Sequence, residues 1–409
     1  MMAPAFDVTK ARAQFPSLKQ DQVYFDNAGG SQTLGTVIES ISDYLSNNNV
    51  QMGASYAIGQ KSTNLFREGC KAGARYINAE DDEVVDQPPV LGPSTTQLFC
   101  NLSYALKFSP GDELILSKLD HEANLASWVS IAERLNLKII WWTVPPTTNP
   151  KLNPSDLQKL LTPRTKLVAC THTSNILGTL NPIAQIAEVV HTIPGALLVV
   201  DGVAHAPHRA IDVKELGVDF YAFSWYKCYG PHFSMLFASR VAQEQVGSLG
   251  MYFNPKESLG NKLALAGESY EFVQCLPRIL EYLGGEDKGG FFEGVEAHEQ
   301  ALQKILLDFL NARDDVTIYG EKGYDSKIRV PTISFLIKGW GSRELVETVE
   351  KISPFGFRWG HFYSKRLCDE ILQVGEEGVV RVSMVHYNTE EEIKGFVRVL
   401  GEVLETGKA

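Results

Sequence analysis

Cysteine is scarce in this chain: Cys70, Cys100, Cys170, Cys228, Cys275 and Cys368 are scattered through 409 residues with no Cys-x-x-Cys spacing. That argues against a zinc site, any other cysteine-based metal centre and a disulfide scaffold, and it fits a reduced compartment. Positive charge is also in short supply. The formal net charge is −11 and no basic run offsets it, so neither nucleic acid nor an anionic membrane surface is expected as a partner. Long apolar runs are missing, and stretches such as Ala196–Val200 fall far short of a membrane span. Met1–Phe15 carries charges early and lacks an apolar signal core, which makes cytoplasmic the expected location. No internal repeat and no low-complexity segment is present. What remains is ordinary globular composition, 44% hydrophobic and 21% charged, on a chain long enough for two α/β domains.

From about residue 90 to 240, short apolar runs alternate with amphipathic stretches. Strands are expected at Glu113–Ser117, Lys138–Thr143, Lys166–Thr171, Ala196–Asp201, Asp219–Phe223 and Phe233–Ala238. Continuous apolar runs with helical segments such as Pro182–His191 between them predict a mostly parallel sheet covered on both faces. Open sheets of this kind place ligands beyond the carboxyl ends of their strands, where His172, Asp201 and Ser224 fall. The stretch Gly284–Gly294 reads as a flexible break before a second unit. After it come a helix near Val295–Ala312, a strand at Val330–Ile337, a helix near Ser342–Lys351, a strand at Val379–Met384 and a helix over Glu390–Leu404. The expected division is a large domain at 21–285 and a smaller C-terminal α/β domain at 286–409, joined by the N-terminal segment 1–20.

Three segments suggest chemistry. In Leu91–Asn101, Ser94, Thr95 and Thr96 follow a Gly-Pro turn and open a helical stretch. Unpaired N–H groups, a positive dipole end and hydroxyl donors suit a phosphate, although hydroxyl residues are also ordinary helix caps. In Leu197–His208, Asp201 ends a buried run. A carboxylate there can serve as a cap, a metal ligand or an ion-pair partner, or it can hold a cofactor with a protonated ring nitrogen. In Asp219–Met235, Lys227 lies 26 residues after Asp201, among Trp225, Tyr226 and Tyr229. Desolvation favours the neutral amine that a Schiff base needs, while a surface lysine snorkelling past aromatics is the plainer alternative.

Their order narrows the choice. A hydroxyl-rich helix start, His121, Asn175, Asp201 and Ser-x-x-Lys ending at Lys227 resemble the fold-type I enzymes of pyridoxal 5′-phosphate (PLP). More narrowly they resemble the class V aminotransferase group and its cysteine desulfurase-like branch. The likeness runs through YFDNAGGSQ (Tyr24–Gln32), DHEAN (Asp120–Asn124), HTSNILGTLNPI (His172–Ile183), VDG (Val200–Gly202), FSWYKCYGP (Phe223–Pro231) and VVRVSMVHYNT (Val379–Thr389). It implies an α/β fold, a large domain with a mostly parallel mixed sheet plus a smaller C-terminal domain. It implies that Lys227 forms the Schiff base and then acts as acid/base at the substrate α-carbon, that Asp201 pairs with the pyridinium nitrogen, and that His121 stacks on the cofactor face. Asn175 falls near the cofactor's phenolic oxygen and the substrate. Thr95, Thr96 and Ser224, with Ser94 in the same hydroxyl run, fall at the phosphate. Tyr226 replaces a histidine common in the family, and a phenol can still donate there. Arg381 matches the arginine that grips the substrate α-carboxylate, a planar bidentate match that lysine does not reproduce. Asn27 and Ala28 are expected to line that carboxylate pocket. The resemblance also implies a homodimer with sites at the interface, with Gly267–Tyr270 reaching the neighbouring subunit's phosphate.

The chain also departs from the desulfurase pattern. In Phe357–Tyr363 (FRWGHFY), Tyr363 stands where desulfurases carry a mobile cysteine, and a phenol cannot form a persulfide. Neither Cys368 nor Cys228 is at the right place, so the resemblance is to a branch lacking the catalytic cysteine. His361 and Tyr363 are expected at the mouth of the site, as a second acid/base, as pocket walls or as loop packing. Trp359 and Phe362 would make the pocket apolar, and Gln51-Met52-Gly53 replaces a basic pair found in relatives. The expected activity is α-carbanion (quinonoid) chemistry on an amino acid, in secondary or amino-acid metabolism. A lyase outcome and carbon–carbon bond formation stand first, the latter a Mannich-type cyclisation as in PLP enzymes of related fungal alkaloid pathways. Desulfuration, transamination, epimerisation and a non-catalytic PLP-fold scaffold are the alternatives.

Overall fold

The computed structural model describes residues 6–79, 90–253, 258–265, 268–285 and 288–407. Gly267, the first residue of the segment expected to reach a neighbouring subunit, lies outside the described residues, as do Met1–Ala5 of the N-terminal segment and Glu286 and Asp287 of the glycine-rich stretch.

In chain order the strands are β1 (Val23–Tyr24), β2 (Val90–Gly92), β3 (Glu113–Ser117), β4 (Lys138–Trp142), β5 (Thr165–Thr171), β6 (Leu197–Asp201), β7 (Phe220–Ser224), β8 (Ser234–Ala238), β9 (Val316–Tyr319), β10 (Thr332–Ile337), β11 (Phe355–Gly356), β12 (Arg358–Gly360) and β13 (Val379–Ser383). Seven form one sheet in the order β2-β8-β7-β6-β5-β3-β4. Strands β3 to β7 run parallel, and β8 is antiparallel to both β7 and β2. The six expected strands are all present, with ends moved by a residue. The physical reason for their apolar runs is visible in β6. Leu198 and Val200 enter the core on one face, and Leu197 and Val199 enter the core on the other. A side-chain period of two and helices on both faces leave no position for a polar residue until the strand ends. Helices Thr95–Ala105 and Ala126–Leu135 cover one face through Leu98, Phe99, Trp128 and Ile131, and Ile183–Val190 covers the other through Ile186 and Val190.

A four-stranded antiparallel sheet, β12-β13-β10-β9, lies after the long helix Lys288–Asn311. Helices Ser342–Ile352 and Glu390–Thr406 bury Leu345, Val349, Ile393, Phe396 and Leu400 in its core. Thr389 and Glu392 satisfy each other's backbone N–H groups at the start of the last helix, a capping box. The N-terminal segment joins this unit: Arg12 pairs with Glu392 at 2.9 Å, and β1 runs parallel to β11.

The glycine-rich stretch differs from the expected break. Gly284 and Gly285 adopt left-handed backbone, but Lys288–Gly294 already belongs to the long helix. Burial of Phe292 and Val295 outweighs the helix cost of about 1 kcal/mol that each glycine carries.

Candidate active site

The carboxyl ends of β5, β6 and β7 open into one cavity. Its lining includes Ser94, Thr95, Thr96, His121, Asn175, Asp201, Ser224, Tyr226 and Lys227. Residues 95 to 227 therefore converge because parallel strands all end on the same side of the sheet. Thr171, Thr173, Ala123, Val203 and Ala204 also line it, although the sequence reading did not single them out. For Thr171 and Val203 the signal was available, since each flanks a strand end.

Lys227 closes a single 3-10 turn, Trp225–Lys227, directly after β7. Tyr229, two residues on, has φ +67°, a left-handed conformation that reverses the chain. The Lys227 ammonium is buried and makes no hydrogen bond among the described residues. Burial first, and the Arg381 charge second, pull its pKa down to about 8, while Asp201 opposes the shift. Asp201 is buried and its carboxyl pKa is raised by that burial. One carboxylate oxygen accepts from Val203 N–H at 2.9 Å. His121 caps the short turn Glu122–Asn124, its Nδ1 accepting from Ala123 N–H at 3.0 Å. Burial and the nearby cations push its pKa down to about 3, so at neutral pH the ring is uncharged. Behind it Asp120, fully buried, accepts from Thr171 N–H and Asn124 and is pushed up to about 8 by desolvation.

The hydroxyl run has split duties. Ser94 is the N-cap of helix Thr95–Ala105, accepting from Gln97 N–H at 3.1 Å. Its own O–H stays available as a donor. Thr95 Oγ1 lies 2.8 Å from Ser224 Oγ, which lies 2.7 Å from Ser234 Oγ. This chain ties the helix start to β7 and β8. Tyr226 stacks on His232 with ring centroids 4.9 Å apart, and Gly30 lies close to the same ring, where a Cβ would sit 3.3 Å from it.

The expected substrate-side residues form a second group. Arg381, on β13, is fully buried. It donates to Asp26 Oδ1 at 2.7 Å and to the carbonyl of Asn175 at 3.2 Å, and the Phe362 ring lies 3.6 Å from its guanidinium carbon. Its buried Nε has no partner among the described residues. Asp26 was missed by the sequence reading, because the motif YFDNAGGSQ shows an acid without showing what it faces. Ala28 N–H donates to Ser383 Oγ at 2.9 Å, beside β13. Asn27 corrects an expectation. Its amide donates to the carbonyls of Tyr24 and Ser383 and to Asn388, and its oxygen accepts from Tyr387, so the side chain is spent within the smaller unit.

Tyr363 is 70% exposed and its ring centroid is 5.4 Å from that of His121. His361 accepts from Tyr363 N–H at 3.2 Å through Nδ1. Trp359 also differs from expectation: it packs against the core of the smaller sheet, whereas Phe362 lies on the Arg381 guanidinium. All six cysteines are free, and none lines the cavity among the described residues.

These groups fit PLP. A buried amine without a hydrogen-bond partner among the described residues and a buried carboxylate share one cavity, and a helix start carrying three hydroxyl residues closes one side of it. The fold and this set of groups define a fold-type I PLP-dependent enzyme. The aminotransferase class-V family profile matches residues 23–396, and the chain belongs to that family. It is 52% identical to the aminotransferase-like protein FGM3 of Gibberella zeae, over 99% of this chain and 100% of that one. It is 38% identical to the cysteine desulfurase-like protein ustD of Aspergillus flavus, over 97% of this chain and 91% of the relative. Among solved structures, the cysteine desulfurase CsdA of Escherichia coli superposes with a TM-score of 0.83 at 25% identity, covering 98% of this chain and 99% of the other. The chain is thus a cysteine desulfurase-like member of the family. No helix among the described residues is long and apolar enough to cross a membrane.

Proposed function

We propose that this enzyme acts on an amino acid by α-carbanion chemistry, as a lyase or by forming a carbon–carbon bond, without a protein persulfide. One observation carries the reading: Lys227 and Asp201 share a cavity that no cysteine lines among the described residues. Asp201 would face the pyridinium nitrogen, Ser94, Thr95, Thr96 and Ser224 would hold the phosphate, Asn175 and Tyr226 would donate to the cofactor, and uncharged His121 would stack on its ring. When bound, PLP supplies an electron sink for charge developing at the substrate α-carbon. Lys227, whose burial pulls its pKa down to about 8 and so eases access to the neutral amine, takes and returns the proton at that carbon. Arg381 binds the substrate carboxylate in exchange for part of its pairing with Asp26, and Phe362 covers the guanidinium face and keeps water from it. A phenol at position 363 has no route to sulfur transfer, which leaves elimination, carbon–carbon bond chemistry, epimerisation and transamination as outcomes at the same carbon.

The test is incubation with single amino acids in deuterated buffer. Deuterium at the α-carbon without keto acid or released thiol supports carbon–carbon chemistry or epimerisation. Pyruvate with sulfide or another thiol supports a lyase. No exchange with any amino acid, in protein that carries bound PLP, sinks the reading in favour of a scaffold.

We further propose a homodimer in a reducing compartment, the cytoplasm. The free cysteines and the exposed Ile38, Leu45, Tyr56, Ile58, Tyr252 and Phe253 support this, and light scattering of the purified protein measures the assembly. The division into a large domain at 21–285 and a small one at 286–409 joined by residues 1–20 stays a proposal that limited proteolysis tests; the separate core of the smaller sheet supports it, although that core also takes in Phe25 from the stretch assigned to the large domain.

A further inference from the structure

We propose that Ser364 and the carbonyl of Phe362 are positioning groups that lock the Asn175 amide in one orientation, leaving a single N–H for the cofactor. This rests on the proposed place of Asn175 in the cofactor site.

The orientation follows from donors and acceptors. The Phe362 carbonyl can only accept, so the atom 3.0 Å from it must be Asn175 Nδ2. Asn175 Oδ1 then faces Ser364 Oγ at 2.9 Å, and the serine donates. Ser364 is fully buried and its hydroxyl has no second partner among the described residues. The main chain of Asn175 is held as well, since its carbonyl accepts from Arg381. A primary amide has two N–H groups and one carbonyl. Two of these three groups are engaged by the loop, and the remaining N–H belongs to a residue that lines the cavity.

The loop's backbone is shaped for this contact. Phe362 and Tyr363 are consecutive left-handed residues, φ +47° and +59°, and neither is glycine. Left-handed backbone is unfavourable for any residue with a Cβ, so the surroundings must enforce it. They do. Glu122 N–H donates to the Tyr363 carbonyl at 2.8 Å, and Arg366 ties the following turn to Glu122 at 2.7 Å. The strained turn presents the Phe362 carbonyl inward and brings Ser364 under Asn175. Residues 362–366 are thus tied to Glu122 on one side and to the Asn175 amide on the other.

The test uses full-length protein with PLP bound, comparing the unmodified chain with Asn175→Ala, Ser364→Ala and Ser364→Thr. Two readouts serve: the pH midpoint of the visible absorbance of lysine-bound PLP, and the dissociation constant for PLP. An N–H donor to the phenolic oxygen favours the unprotonated form, so its loss raises the midpoint. The expected result is a rise in Asn175→Ala, a smaller rise in Ser364→Ala, and a return toward the unmodified value in Ser364→Thr. PLP binding should weaken about two- to tenfold in Ser364→Ala, the span of one neutral hydrogen bond. A shift in Asn175→Ala with none in Ser364→Ala overturns the proposal, and so does failure of threonine to restore the midpoint. If neither alanine variant moves it while Lys227→Ala abolishes the absorbance, the positioning role fails and the PLP reading stands. If the unmodified protein never develops the absorbance, the functional reading itself fails.

Discussion

The floor of the cavity and its outer wall are built by different means. Floor groups sit one step from regular structure: Asp201 ends β6, Ser224 ends β7, Lys227 closes the next turn and Ser94 caps a helix. Their positions follow from backbone hydrogen bonding and two-sided burial of the sheet. Wall groups are placed by side chains from distant segments. Arg381 is held by Asp26 and the Asn175 carbonyl, and Asn175 by Phe362 and Ser364. A floor group is therefore hard to move and easy to remove, whereas a wall group changes its aim when a neighbour changes.

The sharpest break on the floor is Lys227→Ala. Activity should fall by about 10⁴-fold or more, the upper range for one acid/base group, and the visible absorbance of lysine-bound PLP should vanish. Asp201→Asn keeps the shape and removes the charge. A loss of roughly 10²–10³-fold in kcat is expected, the usual weight of one preorganised electrostatic group, with PLP still retained. On the wall, Arg381→Lys should raise KM about 10- to 100-fold, because a charge-assisted hydrogen bond is worth about 1.5–3 kcal/mol and lysine cannot make two at once. An unchanged KM would mean that the substrate carboxylate lies elsewhere.

Reconstitution of cofactor-free protein with PLP tests the floor's electrostatics. Lys227 must be neutral to react, and its pKa lies at about 8 rather than the ordinary 10.5. The rate should rise about tenfold per pH unit below that value and level off above it. A rate still climbing well above that point would show that the lysine is not desolvated. The smallest effect expected is for Tyr363→Phe. The phenol is largely exposed, so kcat/KM should change by less than about tenfold, short of a full acid/base contribution. A larger fall would move Tyr363 from the rim into the chemistry.

The same contrast separates what was legible in the sequence. The strands of the large sheet were readable because runs such as Leu197–Val200 are buried on both faces. Lys227 and Asp201 were readable because each follows such a run. The expected hinge at Gly284–Gly294 was misplaced because local glycine content says nothing of Phe292 and Val295 packing into a core. Asn27 was assigned to the carboxylate pocket from its motif, yet its side chain is spent on Tyr24, Ser383, Tyr387 and Asn388.

From sequence alone came the α/β class, through the strand period, while the cofactor and the pairing of Lys227 with Asp201 came from the resemblance that the order of the motifs carries. Tertiary structure alone decided that Asp26 faces Arg381 across 355 residues and that Ser364 meets Asn175 across 189. Such pairings depend on how the smaller sheet docks beside the ends of the larger one, and no local signal in the chain encodes that angle.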